Sequence, residues 1–295
     1  MELWIIFSLL ATLCWSISNV FEKYVLTKWV RNPLVITLVL GIVGLLAALG
    51  IIAFHGVVWL PFAFAALAIA AGVFGILGAL FYFTAVKEEE ISRVVPLAYL
   101  TPILIVLPAA FFLGEVFTLA TYAGIFLLTM GAVLVSQKDV SKPHLGKAFW
   151  LMILSNATFA VDNLLCKYLL GYADVWSIWV YVRIGSALAL IPVVYFHGNE
   201  LVEIAREHGK KSLALIFANE SISILGGFLF TIATAMGYVT LVSALGSLQP
   251  FVVLLFTLVL SRLAPEVLSE KTDKSTVLLK LAAIVMIFIG AMLII

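Results

Sequence analysis

Uninterrupted apolar runs of about 20 residues recur along this chain, and runs of that length leave few choices of fold. A helix so built crosses a hydrocarbon core of roughly 30 Å with its backbone hydrogen bonds closed internally, whereas barrel strands read as short alternating segments. Because 64% of the residues are hydrophobic and only 11% charged, polar surface is too scarce to cover a water-soluble globule of 295 residues. The expected class is therefore an all-α integral membrane protein. Ten transmembrane helices are expected near 4–24, 33–54, 59–84, 92–113, 118–136, 149–170, 174–196, 213–235, 239–261 and 276–295, the third long enough to tilt or bend.

The first run does not read as a removable leader. Met1-Glu2-Leu3 supplies no basic start, no small-residue cleavage site follows, and Asn19, Glu22 and Lys23 interrupt the run. Cys14 and Cys166 both fall in expected spans and read as small core residues, not as a disulfide framework.

A net charge of +1 conceals an asymmetry. Fifteen of the 17 Lys and Arg residues cluster at odd-numbered connections, as at Lys28 and Arg31, Lys87 and Arg93, Lys138 and Lys142, Lys210 and Lys211, and Lys271 and Lys274. The even connections, near His55, Glu115, Asp174 and Tyr238, carry essentially none. The positive-inside rule then places the odd connections in the cytoplasm of a plasma (inner) membrane and both termini outside it.

The spans divide five and five. Residues 1–137 form a first five-helix repeat, 138–147 a polar linker with Pro143 and Gly146, and 148–295 a second five-helix repeat. An odd number of spans per half inverts the halves relative to each other. The charges agree: the third-to-fourth connection of the first half carries Lys87 and Arg93, and the matching turn Met236-Gly237-Tyr238 carries none. Short strings also recur, Asn19-Val20-Phe21-Glu22-Lys23-Tyr24 matching Asn163-Leu164-Leu165-Cys166-Lys167-Tyr168 at an offset of 144, with Pro102 matching Pro250 and Gly78 matching Gly226 at 148.

Polar groups inside the spans mark where function would sit, since charge is costly in hydrocarbon. Thr12, Ser16, Asn19 and Lys23 share one face of the first span, with Trp15 and Glu22 at its margin, and the sixth span repeats the stripe with Asn156, Asn163 and Lys167 beside Asp162. Lys23 and Lys167 either snorkel to the nearest interface or stand at the two ends of a pathway. Asp162, Arg183 and Glu220 lie deeper, as candidates for an ion pair locking helices or for proton coupling. Pro96, Pro102 and Pro108 on the fourth span and Pro250 on the ninth, next to Gln249, are expected to bend their helices and to act as gates or packing kinks. Gly72, Gly75, Gly78, Gly124, Gly131, Gly226 and Gly227 read as close-packing positions. Trp15, Tyr82, Tyr99 and Phe228 are the aromatics that could line a cavity.

Several function classes drop out. No GxxxxGK[ST] loop is present and no extramembrane segment is long enough to fold alone, which excludes a nucleotide-driven pump. Glu88-Glu89-Glu90-Ile91-Ser92-Arg93 fits the EExxxR pattern of intramembrane proteases, but His55, His144, His197 and His208 all sit at connections, so an enzyme is not expected. Neither a cofactor, nor a metal, nor a nucleic-acid partner is implied.

The order and spacing of the Trp15…Lys23 start, the Tyr82…Ala85 stretch, Pro102…Leu113-Gly114-Glu115, Gly131-Ala132-Val133-Leu134, and the echoes at Lys167, Pro250, Glu266 and Gly290 resemble the EamA-type members of the drug/metabolite transporter superfamily. The resemblance implies an inverted-repeat carrier with a central cavity lined by spans one, three, four, six, eight and nine. Spans five and ten would pack as scaffold or contact a second subunit, in a monomer or a homodimer. Span two lacks the charge that relatives often place there.

The expected function is secondary transport of a small metabolite, an amino acid or related amphipathic solute, outward by alternating access. Trp15, Asn19, Lys23, Tyr82, Tyr99, Asp162, Asn163, Lys167, Glu220 and Gln249 are the candidate cavity residues, with Pro96, Pro102 and Pro250 as gating kinks. The alternatives are a membrane scaffold or receptor whose polar groups only lock helices, and a passive solute channel.

Overall fold

The computed structural model describes residues 2–29, 32–88, 95–136, 146–253, 255–256 and 274–295. The linker from 138, the Glu89–Arg93 run, and the end of the ninth span with Glu266 lie outside these residues, as do the side chains of Lys23 and Pro96. Every element among the described residues is helical. In chain order they are α1 (Leu3–Lys28), α2 (Pro33–Phe54), α3 (Phe62–Glu88), a 3-10 turn (Val95–Leu100), α4 (Thr101–Leu113), α5 (Leu119–Ser136), α6 (Lys147–Leu169), α7 (Val175–Ala189), α8 (Ile191–His208), α9 (Lys210–Met236), α10 (Val239–Gly246) and α11 (Lys274–Ile294).

Four of these, α2, α3, α6 and α9, are long and apolar enough to cross a membrane, and α7 with α8 makes a fifth candidate bent by 72°. Shorter apolar helices cover Leu3–Asn19, Leu97–Leu113, Leu119–Leu134, Val239–Val253 and Leu279–Ile294. Trp59, Phe62, Phe111, Phe112 and Leu119 are each 81–91% exposed, an outer surface suited to lipid.

Three helices depart from the simple spans expected. The seventh breaks at Leu190, one residue before Ile191-Pro192 open α8, so much of the expected connection His197–Ser212 is helix. Pro192 lacks an amide hydrogen and fits the first turn of a helix, where none is needed. The fourth and ninth use proline the same way: Pro102 stands in the first turn of α4, after the 3-10 turn, and Pro250 follows the turn at 247–248. These prolines open a helix after a break, where bends within continuous helices were expected. Pro108 alone of those cited lies inside one.

α8 is tied back at its far side. The Asn32 amide donates to both carboxylate oxygens of Glu200 at 3.0 and 2.9 Å while its own oxygen caps α2 at Leu34 N, and His197 Nδ1 lies 2.6 Å from the same carboxylate. Burial raises the Glu200 pKa, yet the hydrogen bonds from His197 and Asn32 hold it below the usual carboxylate value.

Packing follows the small residues. α3 lies between α6 and α7, α1 runs along α9, and α5 pairs with α11. A Cβ at Gly72 would strike the backbone at Val182, and one at Gly185 the backbone at Ile69, so α3 and α7 meet main chain to main chain. Gly124 and Gly131 do the same for α5 against Gly290 and Ala283 of α11. Gly185→Ala should therefore lower stability by about 1–3 kcal/mol, since backbone cannot move aside as a side chain can. Gly50→Ala, with nothing within 4 Å of the new carbon, should leave it unchanged or raise it by up to about 1 kcal/mol. Thermal unfolding in detergent compares the two.

Candidate functional site

Where α1, α3, α4, α6, α9 and α10 converge they enclose a cavity of about 320 Å³. Of the residues singled out from the sequence, Trp15, Asn19, Tyr82, Tyr99, Pro102, Asp162, Asn163, Arg183 and Gln249 line it. Lys167, Glu220 and Pro250 do not. Phe228 instead packs against Trp176 and Trp179, with ring centroids 4.7 and 5.3 Å away. Glu22, Phe83, Phe159, Trp179 and Phe230 complete the wall, and Leu40, Trp179, Val182 and Arg183 bring the second and seventh helices into it. Phe159 stands 144 residues after Trp15 and Phe230 148 after Tyr82, the same offsets at which short strings recur in the sequence.

The polar stripe of α1 turns inward. Ser8, Thr12 and Ser16 are buried, and each hydroxyl donates to the carbonyl four residues before it at 2.7–2.8 Å. Such self-satisfied hydroxyls add polarity without demanding a partner from lipid. Asn19, next on the stripe, opens into the cavity. Trp15 is fixed by its indole N–H donating to the Ser223 carbonyl at 3.2 Å and by the Phe230 ring 5.4 Å away.

Asn156 explains how the break before α4 survives in an apolar bundle. Pro102 offers no N–H, and the 3-10 turn leaves carbonyls open. The Asn156 amide donates to Leu97 O at 2.9 Å, and its oxygen accepts from the Thr101 hydroxyl at 2.5 Å.

The carboxylate of Asp162 and the guanidinium of Arg183 interact electrostatically, yet among the described residues they form no ion pair within 4.0 Å. Arg183 lies 5.4 Å over the Trp179 ring, and its Nε is buried with no hydrogen-bond partner. Asp162 Oδ1 accepts from Cys166 Sγ at 3.4 Å, and a Cβ at Gly75 would come within 2.7 Å of Oδ2. A cation and an anion thus face one small space without being spent on each other.

Lys167 has a structural partner set. Its amine donates to Thr234 O at 2.8 Å and Gly237 O at 2.6 Å, closing the carbonyl end of α9. Across the same turn Glu115, 2% exposed, accepts from Val239 N at 2.8 Å and Thr240 N at 3.0 Å, capping α10. Glu115 follows Gly114, whose φ of 68° turns the chain out of α4. Sequence reasoning placed Glu115 at a bare connection; its cap is a contact 124 residues away that no local pattern announces.

The comparisons bear on what this cavity belongs to. A model described as the EamA-like transporter family matches residues 2–137. This stretch belongs to the EamA-like transporter family. That family lies in the drug/metabolite transporter superfamily, whose members are transporters; the match spans 136 of the 295 residues. No curated protein matches the sequence. A solved structure described only as "Crystal structure of protein" superposes with a TM-score of 0.67 over 98% of this chain and 95% of its own, at 21% identity, so the two share a fold along nearly the whole length.

Replacing Glu115 by Ala removes both hydrogen bonds of the α10 cap and leaves the Val239 and Thr240 amides without it. We expect a loss of about 1–3 kcal/mol in thermal unfolding. Removing the exposed Glu88–Lys147 pair, 2.8 Å apart at the surface, should change little.

Proposed function

We propose that this protein is a secondary carrier that exports a small zwitterionic metabolite, amino-acid-like in carrying a carboxylate, an ammonium and an apolar or aromatic body, across the plasma membrane by alternating access. The observation that carries the reading is one cavity lined by Arg183, Asp162 and several aromatic side chains, with the two charges not joined in an ion pair. Arg183, with its unpartnered Nε over Trp179, takes the carboxylate, and Asp162 with Asn163 takes the ammonium. Trp15, Tyr82, Tyr99, Phe159 and Phe230 accept the body.

Alternating access needs two halves that can exchange roles, and the cavity wall supports ten spans in two inverted five-helix repeats. Matched positions line it from both halves: Trp15 and Phe159, Asn19 and Asn163, Tyr82 and Phe230, Tyr99 and Ser247, Thr101 and Gln249. Contacts exchange in the same way, Gly78 of α3 facing Thr158 and Phe159 of α6 while Gly226 of α9 faces Cys14 and Trp15 of α1. Rocking one half against the other would expose the site to each side in turn, with the breaks before Pro102 and Pro250 as flexing points. The α5–α11 pair would stay as scaffold.

Proteoliposome uptake of a panel of amino acids and related solutes tests this directly. Saturable uptake of at least one zwitterion is expected. Arg183→Gln should weaken it roughly 30-fold, the worth of about 2 kcal/mol in a charge-assisted hydrogen bond, and Arg183→Lys less. Flux that rises linearly with solute would mean a channel, and no flux of any solute would mean a scaffold.

A further inference from the structure

Two carboxylates in the bundle have no cation among the described residues, and they lie together. α1 and α9 run antiparallel in a fixed register: Gly237 abuts Trp4, and Gly226 abuts Trp15. Each step along α1 is matched by one step back along α9, so the same register carried on to Glu22 arrives at Asn219 and its neighbour Glu220. The two acids are in electrostatic contact.

Their surroundings are dry and incomplete. Glu22 is 6% exposed and lines the cavity, whereas Glu220 is fully buried and does not line it. Glu22 Oε1 accepts from the Ser18 hydroxyl at 3.0 Å, and Glu220 Oε1 from the Asn219 amide at 3.2 Å. Glu220 Oε2 has no partner. Among the described residues, the other titratable groups that feel the charge of Glu22 are Tyr82 from α3 and Tyr99 from the 3-10 turn. Arg183 reaches Gly44 beside Ile224, one turn beyond Glu220 on α9, and its carboxylate partner is Asp162. Two acids so placed in hydrocarbon repel each other, and a buried carboxylate oxygen left unpaired costs the full loss of its hydration. Ser18, Glu22 and Glu220 offer an all-oxygen donor set, suited to a proton or a small hard cation.

We propose that Glu22 and Glu220 together bind one monovalent cation, which enters from the cavity past Glu22 and couples an ion gradient to transport. This rests on the carrier reading above. It moves the coupling role from Asp162 to Glu22, leaving Asp162 facing Arg183 and the solute. Because only Glu22 reaches the cavity, occupancy of the pair is the means by which the solute site and the α1–α9 seam sense each other.

Charge displacement on a solid-supported membrane tests it with the full-length protein and no solute. One jump changes pH at constant salt; the other replaces choline by Na⁺ at constant pH. Wild type should give a saturable displacement in one of them, the pH jump identifying a proton and the Na⁺ jump identifying sodium. Glu22→Gln and Glu220→Gln should each abolish it. Should either Gln variant fail to fold, Glu22→Asp and Glu220→Asp keep the charge, and each should shift half-saturation by about tenfold. No displacement in wild type for either jump, displacement unchanged in both Gln variants, or unshifted Asp variants would overturn the cation site. Saturable uptake of a zwitterion without any displacement would overturn the site and leave the carrier reading standing. Displacement without uptake of any solute would do the reverse.

Discussion

Hydrocarbon supplies no hydrogen bonds, so wherever a helix stops inside this bundle the protein must close the open backbone groups itself. Two breaks show how. Asn156 of α6 reaches across to the carbonyl of Leu97 and the hydroxyl of Thr101 where the chain pauses before α4. At the α9–α10 turn Lys167 covers the carbonyls of one helix end and Glu115 the amides of the next. The breaks permit a cavity, because a continuous helix would carry its own side chains through that space. The side chains that close them come from neighbouring helices, so each break is also a junction between elements.

The cavity gathers what the breaks leave free. Its aromatic side chains are held by packing, as with Trp15 against Phe230 and the Ser223 carbonyl. Arg183 and Asp162 also line it, interacting electrostatically but not joined in an ion pair within 4.0 Å. A structural ion pair would be expected to close, since desolvated charges gain most at contact.

Membrane character and helical class were legible in the sequence because they rest on composition and period, whereas the EamA resemblance rested on the order of short motifs and met a family match over residues 2–137. Apolar runs mark helices, and the inward stripe of Thr12, Ser16 and Asn19 follows from helical spacing alone. The repeat offset of 144 also paired Asn19 with Asn163, both of which line the cavity. What stayed hidden depends on contacts between distant segments. Lys167 read as either a snorkelling or a pathway lysine and bonds the carbonyls at a helix end; Glu220 read as a cavity residue and is buried outside the lining. Pairing these groups required the register of α1 on α9 and the fold of the α4–α5 connection, neither of which leaves a local signature. The break at Leu190 was missed because Pro192 sits among apolar residues that continue the helical pattern on both sides.

The central claim is a cavity that opens to each side of the membrane in turn. In a variant with Cys14 and Cys166 replaced by Ala, a single cysteine at position 19 or 163 can be probed in sealed vesicles by a charged thiol reagent added to one face at a time. The account predicts that both positions react from both faces, and that a transported zwitterion slows the reaction at each. Reaction from one face only, or from neither, would contradict it.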